Sequence, residues 1–345
     1  MTLTRQMRGA YTALVTPFTA AGEIDRPAFE ALVRRQLDAC IDGLVLAAST
    51  GESPTLSPEE REWLVGTAVE IASERPSRRR VRIVANTGLN DTAATIRATR
   101  RAAELGADAA MCVAPYYNKP DQRMIEAHFR AIADDGALPI VVYNVPSRTG
   151  VNVEPATLMR LAEHPRIVAV KEASASMDQI ATILRERPAG FSVMAGDDAW
   201  TLPMLAMGGG GVICTCSNEI PGEMAAMCAA AFAGDWDTAR RIHERWLPLM
   251  KANFIGGPNP VPVKAALALM GLTTDMVRLP LLPLEEAHRN RLRLILETTG
   301  ALSLGGTGVA GSANGSGGEG APGSTGPKRS AARLAIVQAA ATARA

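Results

Sequence analysis

The segment 138–174, LPIVVYNVPSRTGVNVEPATLMRLAEHPRIVAVKEAS, holds two apolar runs separated by a helix-length stretch. Both runs, LPIVVYNVP and IVAVKEAS, are rich in Val and Ile and apolar nearly throughout, as strands buried on both faces should be. Between them, Val153-Glu154-Pro155 precedes ATLMRLAEH, with proline where a first helical turn tolerates it. Strand followed by helix followed by strand argues for a parallel sheet.

The same alternation extends outward from this unit. Further apolar runs lie at 10–18, 43–48, 81–88, 109–117, 191–198 and 211–218, making eight in all. Helix start signals separate them, among them Ser57-Pro58-Glu59-Glu60 and Asn90-Asp91-Thr92. Eight strand–helix repeats predict an α/β fold, a closed (β/α)8 TIM barrel over 1–220. An open doubly wound sheet is the other parallel solution, but its G-x-G-x-x-G fingerprint is missing. Helical stretches at about 221–233, 235–252, 260–270 and 284–298 predict a C-terminal helical appendage over 221–300. Residues 301–345 form a Gly/Ser/Ala-rich tail. Its 304–329 portion carries ten of the 31 glycines and is expected to be a disordered linker. The Ala-rich end, 330–345, could form a short helix.

Lys plus Arg number 36 and Asp plus Glu 35, for a formal net charge of +1. That balance carries no footprint for nucleic acid or for an anionic membrane. No stretch is apolar for long enough to span a bilayer, and residues 1–10 lack the apolar core of a secretory signal, so a cytoplasmic location is expected. Cys40, Cys112, Cys214, Cys216 and Cys228 make no CxxC pair, and the four histidines show no paired spacing. Reduced, packed cysteines and no metal site are expected.

Scarcity directs attention within the barrel. The chain has five lysines and four tyrosines. Barrel chemistry sits at the C-terminal ends of the strands, where Lys171 and three tyrosines, Tyr116, Tyr117 and Tyr143, fall. A lysine projecting into a barrel is desolvated and tends to lose its proton, and a neutral amine is what attack on a ketone requires. The other reading of Lys171 is a side chain snorkelling to solvent. Tyr143 ends the neighbouring strand, where its phenol could relay protons or simply meet a backbone partner. Ser49 and Thr50 end the second run, with hydroxyls suited to proton transfer, to carboxylate binding, or to ordinary capping. Arg148, in the loop after the fifth run, suits bidentate capture of a carboxylate, though it could equally be a solvated arginine. Lys264 begins a helix outside the eight strands and reads as structural.

These segments, GAYTALVTPF, STGESPTL, APYYNKP, YNVPSRTG, VKEAS, AGDD and NPVPVKAAL, resemble in order and spacing the dihydrodipicolinate synthase family of pyruvate-dependent class I aldolases, with N-acetylneuraminate lyase as a cousin. The resemblance spans about residues 8 to 300. It implies that Lys171 forms a Schiff base with pyruvate and that Tyr143 is the central proton-transfer residue. It implies that Ser49 and Tyr117 complete a proton relay, with Tyr117 reaching the site of a neighbouring subunit. Thr50 would bind the pyruvate carboxylate, Arg148 the carboxylate of aspartate semialdehyde, and Gly196 and Ile213 would line the pocket. No cofactor beyond the covalent imine is implied. A homo-oligomer is expected, as a tetramer built from two dimers. Most synthases carry threonine where this chain has Ser49, and the lyase cousin shares the serine. A related aldolase acting on a sugar acid or another aldehyde would keep Lys171 and Tyr143 without needing Arg148. A barrel retained only as a binding protein is the third reading. In lysine-inhibited members, Ser53, Asn90 and Tyr116 match the allosteric pattern. Ala94, Pro58 and Arg61 depart from it, which implies weak or no inhibition by lysine.

Overall fold

The structure is a computed structural model describing residues 7–74 and 80–305. Residues 306–345, most of the Gly-rich tail and all of its Ala-rich end, lie outside the described residues. Eight parallel strands close into a barrel in sequence order: β1 (Gly9–Ala13), β2 (Gly43–Leu46), β3 (Arg82–Asn86), β4 (Ala109–Val113), β5 (Ile140–Asn144), β6 (Ile167–Glu172), β7 (Ser192–Ala195) and β8 (Gly211–Cys214). Strand β8 closes on β1 through the pairs Gly9↔Gly211 and Tyr11↔Ile213.

Helices α1 (Arg26–Asp38), α2 (Pro58–Ser73), α3 (Thr92–Glu104) and α4 (Gln122–Asp135) follow β1 to β4. The short α5 (Pro146–Thr149) and then α6 (Pro155–Ala162) follow β5. Helices α7 (Met177–Glu186) and α8 (Thr201–Ala206) follow β6 and β7. The appendage comprises α9 (Pro221–Phe232), α10 (Trp236–Ala252), α11 (Val261–Leu269) and α12 (Glu286–Thr299), close to the stretches expected from sequence. Local chemistry explains where several helices begin. Ser57 and Glu60 form a reciprocal capping box at α2, and Asp91 accepts from the backbone N–H groups of Ala93 and Ala94 at α3.

The strands are shorter than the apolar runs that announced them. Strand β1 stops at Ala13, yet Leu14, Val15 and Phe18 beyond it are buried. Those loop residues lie under other chain segments, so burial extends past the hydrogen-bonded ladder.

Alternation along the strands sorts side chains into two layers. Tyr11, Val45, Val84, Met111, Val141, Tyr143, Ala169, Met194 and Ile213 belong to a cluster that fills the barrel. Ala10, Leu44, Ile83, Ala110, Val142 and Val170 belong to the larger cluster beneath the helices. Gly43 makes room inside: a Cβ there would lie 2.3 Å from the Tyr11 ring.

The chain's folded body reaches beyond residue 300. Ala301–Leu304 is a 3-10 turn with Ala301 buried and Leu302 and Leu304 packed on the core. Arg35 donates to the carbonyls of Asn218 (2.8 Å), Glu219 (2.7 Å) and Leu304 (3.4 Å), tying this end to the barrel. The boundary expected at 301 therefore falls too early, because a short turn can be buried without any helical periodicity.

His128 on α4 is buried, with Nδ1 2.9 Å from the Thr92 hydroxyl that begins α3. Its Nε2 has no partner among the described residues. Burial lowers its pKa to about 4. The unfolded chain, with an ordinary histidine, takes up a proton first, so this contribution to stability is present above about pH 6.5 and is lost as pH falls toward 4. Between about pH 7 and pH 5 the loss should be about 2 kcal/mol. Denaturant unfolding of the wild type and of His128→Gln at both pH values should show their stability difference moving by that amount in favour of the variant. A difference independent of pH would mean that the imidazole takes up its proton over the same pH range in the folded protein as in the unfolded chain.

Candidate active site

Lys171 and Tyr143 share a register position on adjacent strands, and each lies two residues beyond a barrel-filling residue, Ala169 and Val141. The period of two therefore sends both side chains inward. Lys171 is 6% exposed, and its Nζ sits 4.5 Å from the centroid of the Tyr143 ring. It has no hydrogen bond or ion pair to another described residue, whereas the other buried lysine, Lys264, is paired with Glu52.

The next residue goes the other way. Glu172 is buried on the helix side, where it accepts from the Asn144 side chain (3.1 Å), the Ser174 backbone N–H (2.7 Å) and Gln179 (3.4 Å). Burial raises its pKa, and those hydrogen bonds act against the rise. Its carbonyl accepts from the Gly196 N–H at 2.8 Å. A Cβ on Gly196 would lie 2.7 Å from that of Ala173, so glycine permits the close approach of the β7 loop to the end of β6. Ile213 on β8 belongs to the same inner cluster as Tyr143.

Thr50 is held from two sides. Asn259, immediately before the first turn of α11, donates from Nδ2 to the Thr50 Oγ1 at 3.0 Å. The Thr215 hydroxyl lies 3.4 Å from the same oxygen. Asn259 also accepts, through its carbonyl, a 3.2 Å hydrogen bond from Arg148, whose side chain is otherwise exposed. Arg148, Asn259, Thr50 and Thr215 thus form one chain of polar contacts. Thr215 and Cys216 donate their backbone N–H groups to Asp198, whose burial pushes its pKa up to about 6 against those bonds and the nearby Lys171.

The structure brings Lys171, Tyr143, Ile213, Gly196, Thr50 and Arg148 to one end of the barrel. Ser49 lies half-buried on the same turn as Thr50, its carbonyl accepting from the Glu52 N–H at 3.1 Å. Tyr117 is the exception within a single chain. It lies in the loop after β4 with φ +74° and a side chain 88% exposed, apart from the buried lysine. Asn259, Thr215 and Asp198 received no role from sequence. Asn259 follows two glycines and a proline that read as a loop, and nothing local connects it to a threonine 209 positions away. Among the described residues no group of three His, Cys, Asp or Glu side chains could hold a metal ion, and no helix is long and apolar enough to cross a membrane.

Residues 6–299 match the dihydrodipicolinate synthetase family. The chain belongs to that family. Among its relatives is the 4-hydroxy-tetrahydrodipicolinate synthase of Koribacter versatilis, 45% identical over 298 residues that cover 86% of this chain and 97% of the relative. The dihydrodipicolinate synthase of Cyanidioschyzon merolae, solved with lysine bound, superposes with a TM-score of 0.82 at 39% identity, covering 86% of this chain and 99% of that one. The chloride-inhibited synthase of Acinetobacter baumannii, solved with pyruvate, gives a TM-score of 0.82 at 36% identity, covering 86% and 100%. The family match ends at 299, so the whole of the Gly/Ser/Ala-rich stretch from 301 lies outside it.

Proposed function

We propose that the chain is a 4-hydroxy-tetrahydrodipicolinate synthase, a lyase that condenses pyruvate with L-aspartate 4-semialdehyde in the diaminopimelate route to lysine. The observation that carries the reading is the buried Lys171 amine, free of any ion pair to described residues, set against the Tyr143 ring at the barrel mouth. The names of relatives covering nearly their whole length support the same reaction.

In this reading the Lys171 Nζ adds to C2 of pyruvate, and loss of water from the carbinolamine leaves an imine. Removal of a proton from C3 gives an enamine. Its C3 attacks the aldehyde carbon of the semialdehyde, forming the carbon–carbon bond while the aldehyde oxygen takes up a proton. The amino group of the second substrate then adds to C2 and displaces the Lys171 Nζ, closing a six-membered ring and regenerating the amine. No cofactor is required beyond this covalent imine. Tyr143 and Ser49 pass the protons, joined by Tyr117 from a second copy of the chain, whose exposed side chain suits that use. Thr50 binds the pyruvate carboxylate, Arg148 the carboxylate of the semialdehyde, and Gly196 and Ile213 line the pocket. A dimer is then the smallest complete catalytic unit, and a tetramer of two such dimers is the assembly we propose, in the cytoplasm.

Lys171→Arg keeps the charge but supplies no neutral amine near pH 7. Borohydride with pyruvate should label the wild type at Lys171, seen by mass spectrometry, and leave the variant unlabelled and nearly inactive. Full labelling of the variant would exclude Lys171 as the nucleophile.

Removal of a charge-assisted contact costs about 1.5–3 kcal/mol, or roughly 10- to 150-fold. Arg148→Ala should lose that much in kcat/KM for aspartate semialdehyde, measured with a coupled reductase, with pyruvate trapping little changed. Equal kinetics for both substrates would make Arg148 a surface arginine and favour an aldolase with a different aldehyde.

Lysine should inhibit weakly or not at all. A cavity of about 520 Å³ between α2 and α3 is lined by Pro58, Arg61, Glu62, Ala94, Arg97 and Arg101, among others. Arg61 is committed to the Ser53 and Leu56 carbonyls, and Glu62 to Arg101 at 2.9 Å, so an ammonium entering there meets cations and apolar carbon. Initial rates against lysine at fixed substrates test this, and strong submillimolar inhibition would contradict it.

A further inference from the structure

Glu52 and Lys264 form a buried ion pair, Nζ to Oε1 at 2.6 Å, with side chains 1% and 0% exposed. The second carboxylate oxygen accepts the Arg278 backbone N–H at 3.0 Å. The Lys264 ammonium and the Arg278 guanidinium each lie 4.2 Å from the Phe18 ring centroid. Burial lowers the Lys264 pKa to about 8, with Glu52 acting to hold the proton. A pair buried this deeply is a poor way to add stability, because desolvation offsets most of its attraction and apolar side chains of similar volume do as well or better.

Its position points to another use. Glu52 ends the turn that carries Ser49 and Thr50, and it adopts a left-handed backbone conformation, φ 57° and ψ 40°. A residue with a side chain reaches that region only at some cost and stays there when its surroundings hold it. The turn is pinned at three successive residues. Asn259 holds the Thr50 hydroxyl, the Thr16 hydroxyl donates to the Gly51 carbonyl at 2.8 Å, and Lys264 with Arg278 holds the Glu52 carboxylate. Gly51 allows the fit, since a Cβ there would lie 3.0 Å from the Leu14 carbonyl oxygen. Two of these pins are close in the chain: Asn259 lies just before Pro260, the N-cap of α11, and Lys264 lies within that helix. Threonine is stiff about χ1, so the direction of the Thr50 Oγ1 follows its backbone. That backbone is anchored two residues on by Glu52.

We infer that Lys264, Glu52 and Arg278 are positioning residues that aim the Thr50 hydroxyl at the carboxylate of pyruvate, and so set affinity for pyruvate without touching it. The inference rests on the reading of Thr50 as the pyruvate-carboxylate ligand.

The test uses the full-length chain with both charges removed, Glu52→Gln/Lys264→Met. Replacing the whole pair leaves no orphaned charge, so the fold should persist, checked by circular dichroism and thermal melting. The readouts are the pyruvate concentration giving half-maximal borohydride-trapped adduct and the KM for aspartate semialdehyde. The expected result is a rise of about tenfold for pyruvate, with the aldehyde KM within about twofold of wild type. A folded double variant whose pyruvate half-saturation stays within about twofold overturns the inference and leaves the pair a structural fastening. If the double variant does not fold, Glu52→Gln alone keeps the shape of the side chain and one oxygen for Lys264. It should raise pyruvate half-saturation in the same direction, and an unchanged value overturns the inference. Absence of an adduct in the wild type would instead overturn the pyruvate reading, and the inference with it.

Discussion

Closing eight strands into a cylinder gives every strand residue one of two destinations, the filled interior or the layer beneath the helices. The pleat alternates them, with one register shift at the start of β6, so from Ala169 onward neighbours on that strand are forced apart. Lys171 and Glu172 are adjacent in sequence, yet the first enters the barrel mouth beside Tyr143 and the second is buried on the far side of the strand. A slip of one residue in β6 would exchange them and put a carboxylate in the site. The site therefore depends on register, and the apolar interior formed by Val141, Ala169, Met194 and Ile213 holds that register.

The buried acids Glu172, Asp198 and Glu219 each have their own set of partners. Glu172 is met by Asn144, Ser174 and Gln179, and Asp198 by two backbone N–H groups. Glu219 accepts from Asn253 at 2.9 Å and lies near Arg35, but burial still raises its pKa to about 8. Lys171 alone among the buried charged groups of the mouth has no such partner among the described residues. Buried polar groups left without partners are costly in a folded protein, and their persistence at a concave mouth marks a place where chemistry, not stability, selects the residue.

The barrel does not make the mouth by itself. The appendage supplies Asn259 to Thr50 and Arg148, Lys264 and Arg278 to Glu52, and an apolar cover for the loops that continue β1. The loops that follow β1, β2 and β5 are thereby fastened to the appendage. That matters for a site whose parts come from β2, β5, β6, β7 and β8, since each must keep its place relative to the others.

The eight apolar runs and the helices between them were legible in the chain because hydrophobic periodicity is local: each run is apolar for the same reason, burial on both faces. Lys171, Tyr143, Thr50 and Arg148 could be picked out as candidates because strand ends are where barrels keep chemistry, and because lysine and tyrosine are scarce here, whereas Gly196 came only with the family resemblance. Tertiary structure decided what periodicity does not encode. It paired Glu52 with Lys264 and Thr50 with Asn259 across more than 200 residues. It placed Ala301–Leu304 on the body, and it left Tyr117 exposed. Those outcomes depend on contacts between distant segments, where a side chain's partner is set by the path of the whole chain and not by its neighbours.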